Sequence, residues 1–310
     1  MINQIKRTNK RHRSSNKKKN LYTEIDIEKI SKRINDEELS IDEIQKIIDV
    51  TTNSIYEAKT ITSGVVREVE IHPVFLKKDM PEEFRMKSTK EAKKNLNNKY
   101  ARLYFIRKAN TNFVKGDYYI TLSYLMQHLP KDHEEAKKHI RNYFRRLNYL
   151  YHKQQIANGV SKKKCKNIKY MYVTEVSKEG KGRIHHHILM ESVLSMEVVE
   201  QTWKYGRRNN VRVIYPDDLH ITGLANYLAK DARGKKRWGC SKGLKEPIIT
   251  RSVSKFSRKK INQMSNNYNL IEYEMKRVNP GYKFIDAKVV KNEFNGKWYI
   301  SARLRNIKDC

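Results

Sequence analysis

The chain has 310 residues, and its 66 lysines and arginines set against 34 aspartates and glutamates leave a formal net charge of +32. An excess of that size points to a polyanionic partner, nucleic acid first, and says nothing about chemistry. No apolar run approaches the roughly 18 residues that a membrane span needs, the first residues lack the apolar stretch of a secretory leader, and the isolated Cys165, Cys240 and Cys310 argue against a zinc ribbon or a disulfide framework. A reducing cytoplasm is the expected compartment.

Residues 1–20 form a basic tail with nothing apolar to bury, expected to be disordered and read either as a solvated terminus or as an arm on DNA. Residues 21–60 are expected to be a small helical accessory region. Ile25, Ile27, Ile30 and Ile34 make one stripe, and Ser40-Ile41-Asp42-Glu43 opens a second helix with a cap. Its acidity makes this region a poor major-groove reader.

The main fold is expected over residues 61–245. Strand signals occur at Gly64–Ile71 and at Arg102–Ile106, while the charged stretch from Lys77 to Lys99 reads either as a helix or as a long loop. Ala136, Ile140, Tyr143, Phe144, Leu147 and Leu150 give a helix a firm apolar face, with Lys137, Lys138, Arg141, Arg145 and Arg146 directed elsewhere. A helix from Met196 to Trp203 and a strand from Val211 to Tyr215 follow. Residues 246–310 are expected to be a basic extension packed on that main fold, with a hairpin over Tyr282–Arg305 that turns at Asn295-Gly296. The order predicts an α+β fold, an antiparallel sheet with helices packed over it.

The segment Arg183–Met190, with three consecutive histidines, carries the most chemistry. Ile184, Ile188 and Leu189 flank the histidines and Gly180 and Gly182 precede them, so the segment reads as a buried strand entered from a turn. Alternation puts His185 and His187 on one face and His186 on the other. Ile168–Val176 reads as the partner strand, and a hairpin centred on Gly180 sets Glu175 directly across from His185. Glu175, His185 and His187 are therefore expected to hold a divalent ion through two nitrogens and one carboxylate, with positions left open for a phosphate oxygen.

Forty residues on, Ile221, Leu224 and Leu228 recur at helical spacing. On that helix Tyr227 and Lys230 are neighbours, as are Tyr227 and Asp231. A phenol is almost wholly protonated near neutrality, so a tyrosine nucleophile needs help. Lys230 is expected to supply positive charge beside the nucleophile or the phosphate.

Together these motifs resemble the HUH endonucleases, specifically rolling-circle replication initiators of the filamentous-phage gene II and ORF2 type. Tyr118-Tyr119-Ile120-Thr121-Leu122-Ser123-Tyr124 is similar to the first strand motif of that family, the histidine strand to the second, and Tyr227 with Lys230 to the third. The resemblance runs from about residue 100 to 245 and includes Lys236–Leu244; in relaxases the tyrosine precedes the histidines, whereas here it follows them. It implies an HUH-like fold, metal-binding roles for His185 and His187 with Glu175, and the nucleophile's role for Tyr227. His186 departs from the usual hydrophobic middle position, and its face assigns it to packing or to support of the ligands. Asp231 and Ala232 stand where a second tyrosine would be, so the chain looks like a single-tyrosine enzyme.

The function this implies is metal-dependent, site-specific nicking and joining of single-stranded DNA through a 5′-phosphotyrosine, with Mg²⁺ or Mn²⁺ as the cofactor. The expected partner is single-stranded or supercoiled origin DNA. No P-loop signature is present, so unwinding falls to a separate host helicase and synthesis to a polymerase. Arg233, Lys235, Lys236, Arg237, Trp238 and Lys242 are expected to carry the strand, Trp238 either stacking a base or packing in the core. Asp231 either activates water to release the covalent strand or pairs with Lys235 or Arg233, leaving release to a second protomer's tyrosine. A noncatalytic nucleic-acid-binding protein and a single-tyrosine transposase are the alternatives. A histidine-triad hydrolase would need a third alternating histidine where Leu189 stands.

Overall fold

The computed structural model describes residues 21–22, 39–44, 55–76, 90–175, 184–207, 209–229, 238–292 and 296–309. The fold is α+β, with two antiparallel sheets and helices packed over them.

In the first sheet, alternation and burial agree residue by residue. Its strands are β4 (Tyr118–Leu122), β5 (Tyr170–Glu175), β6 (His185–Met190), β7 (Asn210–Val213) and β8 (Trp238–Cys240), in the order β7-β4-β6-β5-β8. Tyr118, Ile120 and Leu122 are buried on one face of β4. With Ile188 and Met190 they pack under α2 (His133–Ala157) and α3 (Met196–Gln201), through Ile140, Tyr143, Phe144, Leu147, Val199 and Trp203. Asp132 caps α2, its carboxylate accepting from the Glu135 amide at 2.8 Å. The opposite face packs Met171 and Leu189 on Phe105 and Ala109 of α1 (Lys90–Asn112), on Phe113 just after it, and on Ala225 and Leu228 of α4 (Thr222–Leu228). β6 is thus covered on both sides, which is why Ile188, Leu189 and Met190 form an unbroken apolar run.

The second sheet comprises β2 (Ile55–Ser63), β3 (Val66–Leu76), β9 (Ile248–Ser252), β10 (Tyr282–Lys291) and β11 (Trp298–Asn306), ordered β10-β11-β3-β2-β9, with the short β1 (Leu21–Tyr22) pairing with β3. Tyr56, Val69, Ile71, Ile300 and Leu304 on one face pack with Ile261 and Met264 of α5 (Arg258–Ser265) and Ile271 and Met275 of α6 (Tyr268–Val278). The hairpin between β2 and β3 turns at Gly64, at φ +60, where a Cβ would meet the Asn110 carbonyl oxygen at 2.2 Å. α1 bridges the two sheets. Its apolar side faces the first, while Arg107 donates to Glu68 at 2.5 Å and Glu70 at 2.6 Å on β3 of the second.

Two expectations change. Arg102–Ile106 lies within α1 and is not a strand, because Phe105, Ile106 and Ala109 recur at helical spacing and bury one helical face. Residues 55–60, expected to close a helical region, belong to β2, whose burial alternates as a half-covered strand requires. The Ser40 cap is present: the Glu43 amide donates to Ser40 Oγ and the Ser40 amide to Glu43 Oε2, at 3.3 and 3.0 Å. The stripe from Ile25 to Ile34 and the tail at residues 1–20 lie outside the described residues. The C-terminal hairpin is observed, with Lys291 opposite Trp298 and Gly296 at φ +61, although Asn295 lies outside the described residues.

Candidate metal centre and tyrosine site

The register of β5 on β6 places Glu175 opposite His185, Thr174 opposite His186 and Val173 opposite His187. That is the pairing expected from a hairpin centred on Gly180; the turn itself lies outside the described residues. Glu175 Oε2 lies 3.3 Å from His185 Nε2 and 3.4 Å from His187 Nε2. The two imidazoles meet edge to face with centroids 4.8 Å apart. Ligand atoms of the three side chains all fall within 4.8 Å of one another, a convergence of His, Cys, Asp or Glu side chains that no other described residues form.

A metal-ligand role requires a neutral imidazole with one nitrogen held and the other available. His187 meets both conditions. Its Nδ1 lies 2.9 Å from Tyr119 Oη and 3.2 Å from Thr121 Oγ1. Its Nε2 is buried without a hydrogen-bond partner, the 3.4 Å approach of Glu175 being a charge contact that lacks hydrogen-bond alignment. Burial first, then the neighbouring His185, pushes the His187 pKa down to about 4, against the pull of Glu175, so the ring is neutral near neutrality. A buried ring nitrogen with no partner beside a second imidazole and a carboxylate fits a divalent cation.

Tyr119 and Thr121 support the site without being singled out by the sequence pattern. β4 lies antiparallel beside β6 with Thr121 opposite His187, and alternation turns both side chains to the histidine face. The first strand motif contains the signal, but using it requires knowing that β4 and β6 are neighbours.

His186 points the other way, as expected. Its Nε2 lies 2.8 Å from Tyr124 Oη and its Nδ1 2.9 Å from Thr174 Oγ1, with Trp203 edge-on at 5.7 Å. Burial drives its pKa down to about 3, and a neutral ring bonded at both nitrogens is a packing group.

Tyr227 projects from α4 and is 58% exposed, with its ring centroid 6.1 Å from that of His187. α4 is held from beneath by Ala225 and Leu228 and laterally by α1. Arg102 donates twice to Asn226 Oδ1, at 2.9 and 2.6 Å, and Asn110 donates to Thr222 Oγ1 at 2.7 Å. His220, at φ +60, leads into the helix with its Nε2 2.8 Å from the Phe113 carbonyl oxygen. These anchors on α1 leave no motif in the sequence.

Lys230, Asp231, Arg233, Lys235, Lys236 and Arg237 lie outside the described residues. Lys242 is exposed. Trp238 sits half-buried on β8 opposite Val173, with its ring 5.6 Å from Phe105 and 5.9 Å from Tyr104. The structure therefore brings together Glu175, His185, His187 and Tyr227 on one side of the first sheet.

The family model for the replication-associated protein of ORF2 and gene II protein type matches residues 117–235, a span that contains β4, the histidine strand and the tyrosine helix. No curated protein and no solved structure matches the chain. No described helix is long and apolar enough to cross a membrane. Over residues 117–235 the chain is therefore similar to this family of replication-associated proteins.

Proposed function

We propose that the chain initiates rolling-circle replication by nicking and rejoining one strand of origin DNA through a 5′-phosphotyrosine on Tyr227. The observation that carries this reading is the edge-on approach of the exposed Tyr227 ring to His187, whose buried Nε2 faces Glu175 beside His185. A divalent ion held by Glu175, His185 and His187, Mg²⁺ or Mn²⁺, would supply Lewis-acid charge to a phosphate oxygen.

The chain's own residues account for the remainder. Tyr119 and Thr121 hold His187 through Nδ1, fixing its ring plane and leaving Nε2 turned to the ligand cluster. Arg102 and Asn110 fix α4, so the phenol is presented without a search through loop conformations. Tyr227 Oη bonds to phosphorus as the bond from phosphorus to the 3′ oxygen breaks; the phenol gives up its proton to solvent or base, and the departing 3′ oxygen takes one up in return. The products are a 5′-phosphotyrosyl strand and a free 3′-OH from which a polymerase extends. One phosphodiester replaces another, so attack by a 3′-OH reverses the step and joins ends. Lys230 is assigned to positive charge beside the phosphate, and Asp231 to activation of water for release. Host helicase and polymerase are the implied partners in a bacterial cytoplasm.

Tyr227→Phe is the test. The variant is expected to bind single-stranded origin oligonucleotides as the wild type does and to form no covalent adduct on denaturing gels with Mn²⁺. An undiminished adduct would remove Tyr227 from the mechanism. A wild-type protein that binds but forms no adduct with any metal would be a binding module, and joining of two cut ends would mark a transposase.

A further inference from the structure

β6 turns His185 and His187 to one side of the first sheet and His186, Ile188 and Met190 to the other, where α2 covers them. The outer surface of α2 therefore lies across the sheet from the tyrosine site. Between it and the loop at residues 162–167 runs a groove walled by Arg141, Arg145, Tyr149 and Asn167 and floored by the stacked rings of Phe144 and Tyr170.

The groove is built. Gln155 on α2 accepts from the Lys166 amide and donates to the Lys166 carbonyl oxygen, both at 2.9 Å, and His152 Nε2 lies 3.0 Å from Asn167 Oδ1. These contacts fasten the loop to the helix and fix the rim. Arg141, Arg145, Lys153, the lysines at 162–164 and Lys166 are all exposed here. None of them forms an ion pair with a carboxylate among the described residues, whereas Arg107 on the other side of the sheet is paired twice. Within this field Tyr149 is 61% exposed, with Lys153 Nζ 5.4 Å from its ring centroid. Cations left without carboxylates want phosphates, and an exposed ring among them wants the face of an unpaired base.

We propose that this groove is a second nucleic-acid site, taking single-stranded DNA with its phosphates against Arg141, Arg145 and the loop lysines and one base on Tyr149. It rests on the reading that the chain handles a DNA strand, and extends that reading by placing a separate segment across the sheet from the covalent bond. The occupant is a single strand and not a duplex, because an open aromatic face offers nothing to paired, stacked bases. The site would retain the strand while its end is bonded elsewhere.

The test uses the full chain, fluorescent oligo(dT) in EDTA, and a duplex of equal length. Charge reversal at Arg141→Glu and Arg145→Glu together is expected to weaken oligo(dT) binding by at least about ten-fold and to make its salt dependence shallower by about 1.4 in slope, roughly 0.7 for each lost phosphate contact. Tyr149→Ala is expected to weaken oligo(dT) binding roughly five-fold or more and leave duplex binding unchanged, with Tyr149→Phe restoring the affinity. Melting temperatures of these surface variants should match the wild type, and their Tyr227 adduct with saturating oligonucleotide and Mn²⁺ should persist. Wild-type affinity and slope in the arginine variant would overturn the proposal, as would a Tyr149→Ala loss shared by the duplex. If the wild type forms no adduct while the groove variants still lose oligo(dT), the groove stands and the nicking reading falls.

Discussion

His186 and His187 are adjacent, identical in chemistry and buried, yet the two faces of one strand give them opposite fates. His186 has both ring nitrogens within hydrogen-bonding distance of hydroxyls, from Tyr124 and Thr174, inside a shell of aromatic rings. His187 has one nitrogen tied to Tyr119 and Thr121 and the other left buried without a partner beside Glu175. The difference teaches that burial does not separate a structural histidine from a ligand. What separates them is whether the second nitrogen is satisfied.

The largest expected effects come from breaking that pair apart. His187→Ala or His185→Ala should reduce Mn²⁺-dependent adduct formation by roughly a hundred-fold or more, and in the less buried His185→Ala the melting temperature should change little. His186→Ala should do the reverse, costing about 3–5 kcal/mol of stability through lost volume and two broken hydrogen bonds, with adduct per folded molecule retained. Loss of metal binding in His186→Ala at unchanged stability would contradict the assignment of the two faces.

Two further changes sharpen the comparison from the supporting residues. Thr121→Val removes a hydroxyl 3.2 Å from His187 Nδ1 and should lower Mn²⁺ affinity by about 10-fold or more, read by calorimetric titration. Arg102→Ala frees Asn226 and should slow single-turnover adduct formation by about 5-fold at unchanged metal affinity, since the anchor acts on the tyrosine helix and not on the ligands. An effect of Arg102→Ala on metal affinity would show that α4 and the ligand cluster are not separable.

The ligand cluster is legible in the sequence for a physical reason. Strand alternation and one turn centre determine a hairpin register, so Glu175 opposite His185 follows from local geometry alone. The α2 helix is legible too, because its buried positions from Ala136 to Leu147 recur with helical spacing. The rest depends on contacts between distant segments. Leu103 to Ile106 forms a contiguous apolar and aromatic run that imitates a strand, and only its burial against α4 and the sheet reveals the helix. The second sheet unites residues 55–76 with 248–306, which no local pattern announces. Tyr119 and Thr121 become supports only once β4 is placed beside β6.

The smallest expected effect concerns acid. Burial holds the His220 pKa below the ordinary histidine range, so the folded chain resists a proton that the unfolded chain accepts. Stability from this group is present above an unfolded pKa near 6.5 and is lost as the pH falls from there toward the folded value. The melting temperature should therefore drop on acidification below about pH 6.5, and His220→Asn, which tolerates the φ of +60, should drop less. An equal drop would assign the acid sensitivity to other groups.

The most direct measurement is to map the covalent bond. The full chain, incubated with Mn²⁺ and a single-stranded oligonucleotide carrying its cleavage site, should be trapped, digested and sequenced by mass spectrometry. A single modified peptide is expected, with a 5′-phosphate on Tyr227, absent when EDTA replaces Mn²⁺. A phosphate on any other residue, or the same adduct formed at full yield in EDTA, would contradict this expectation.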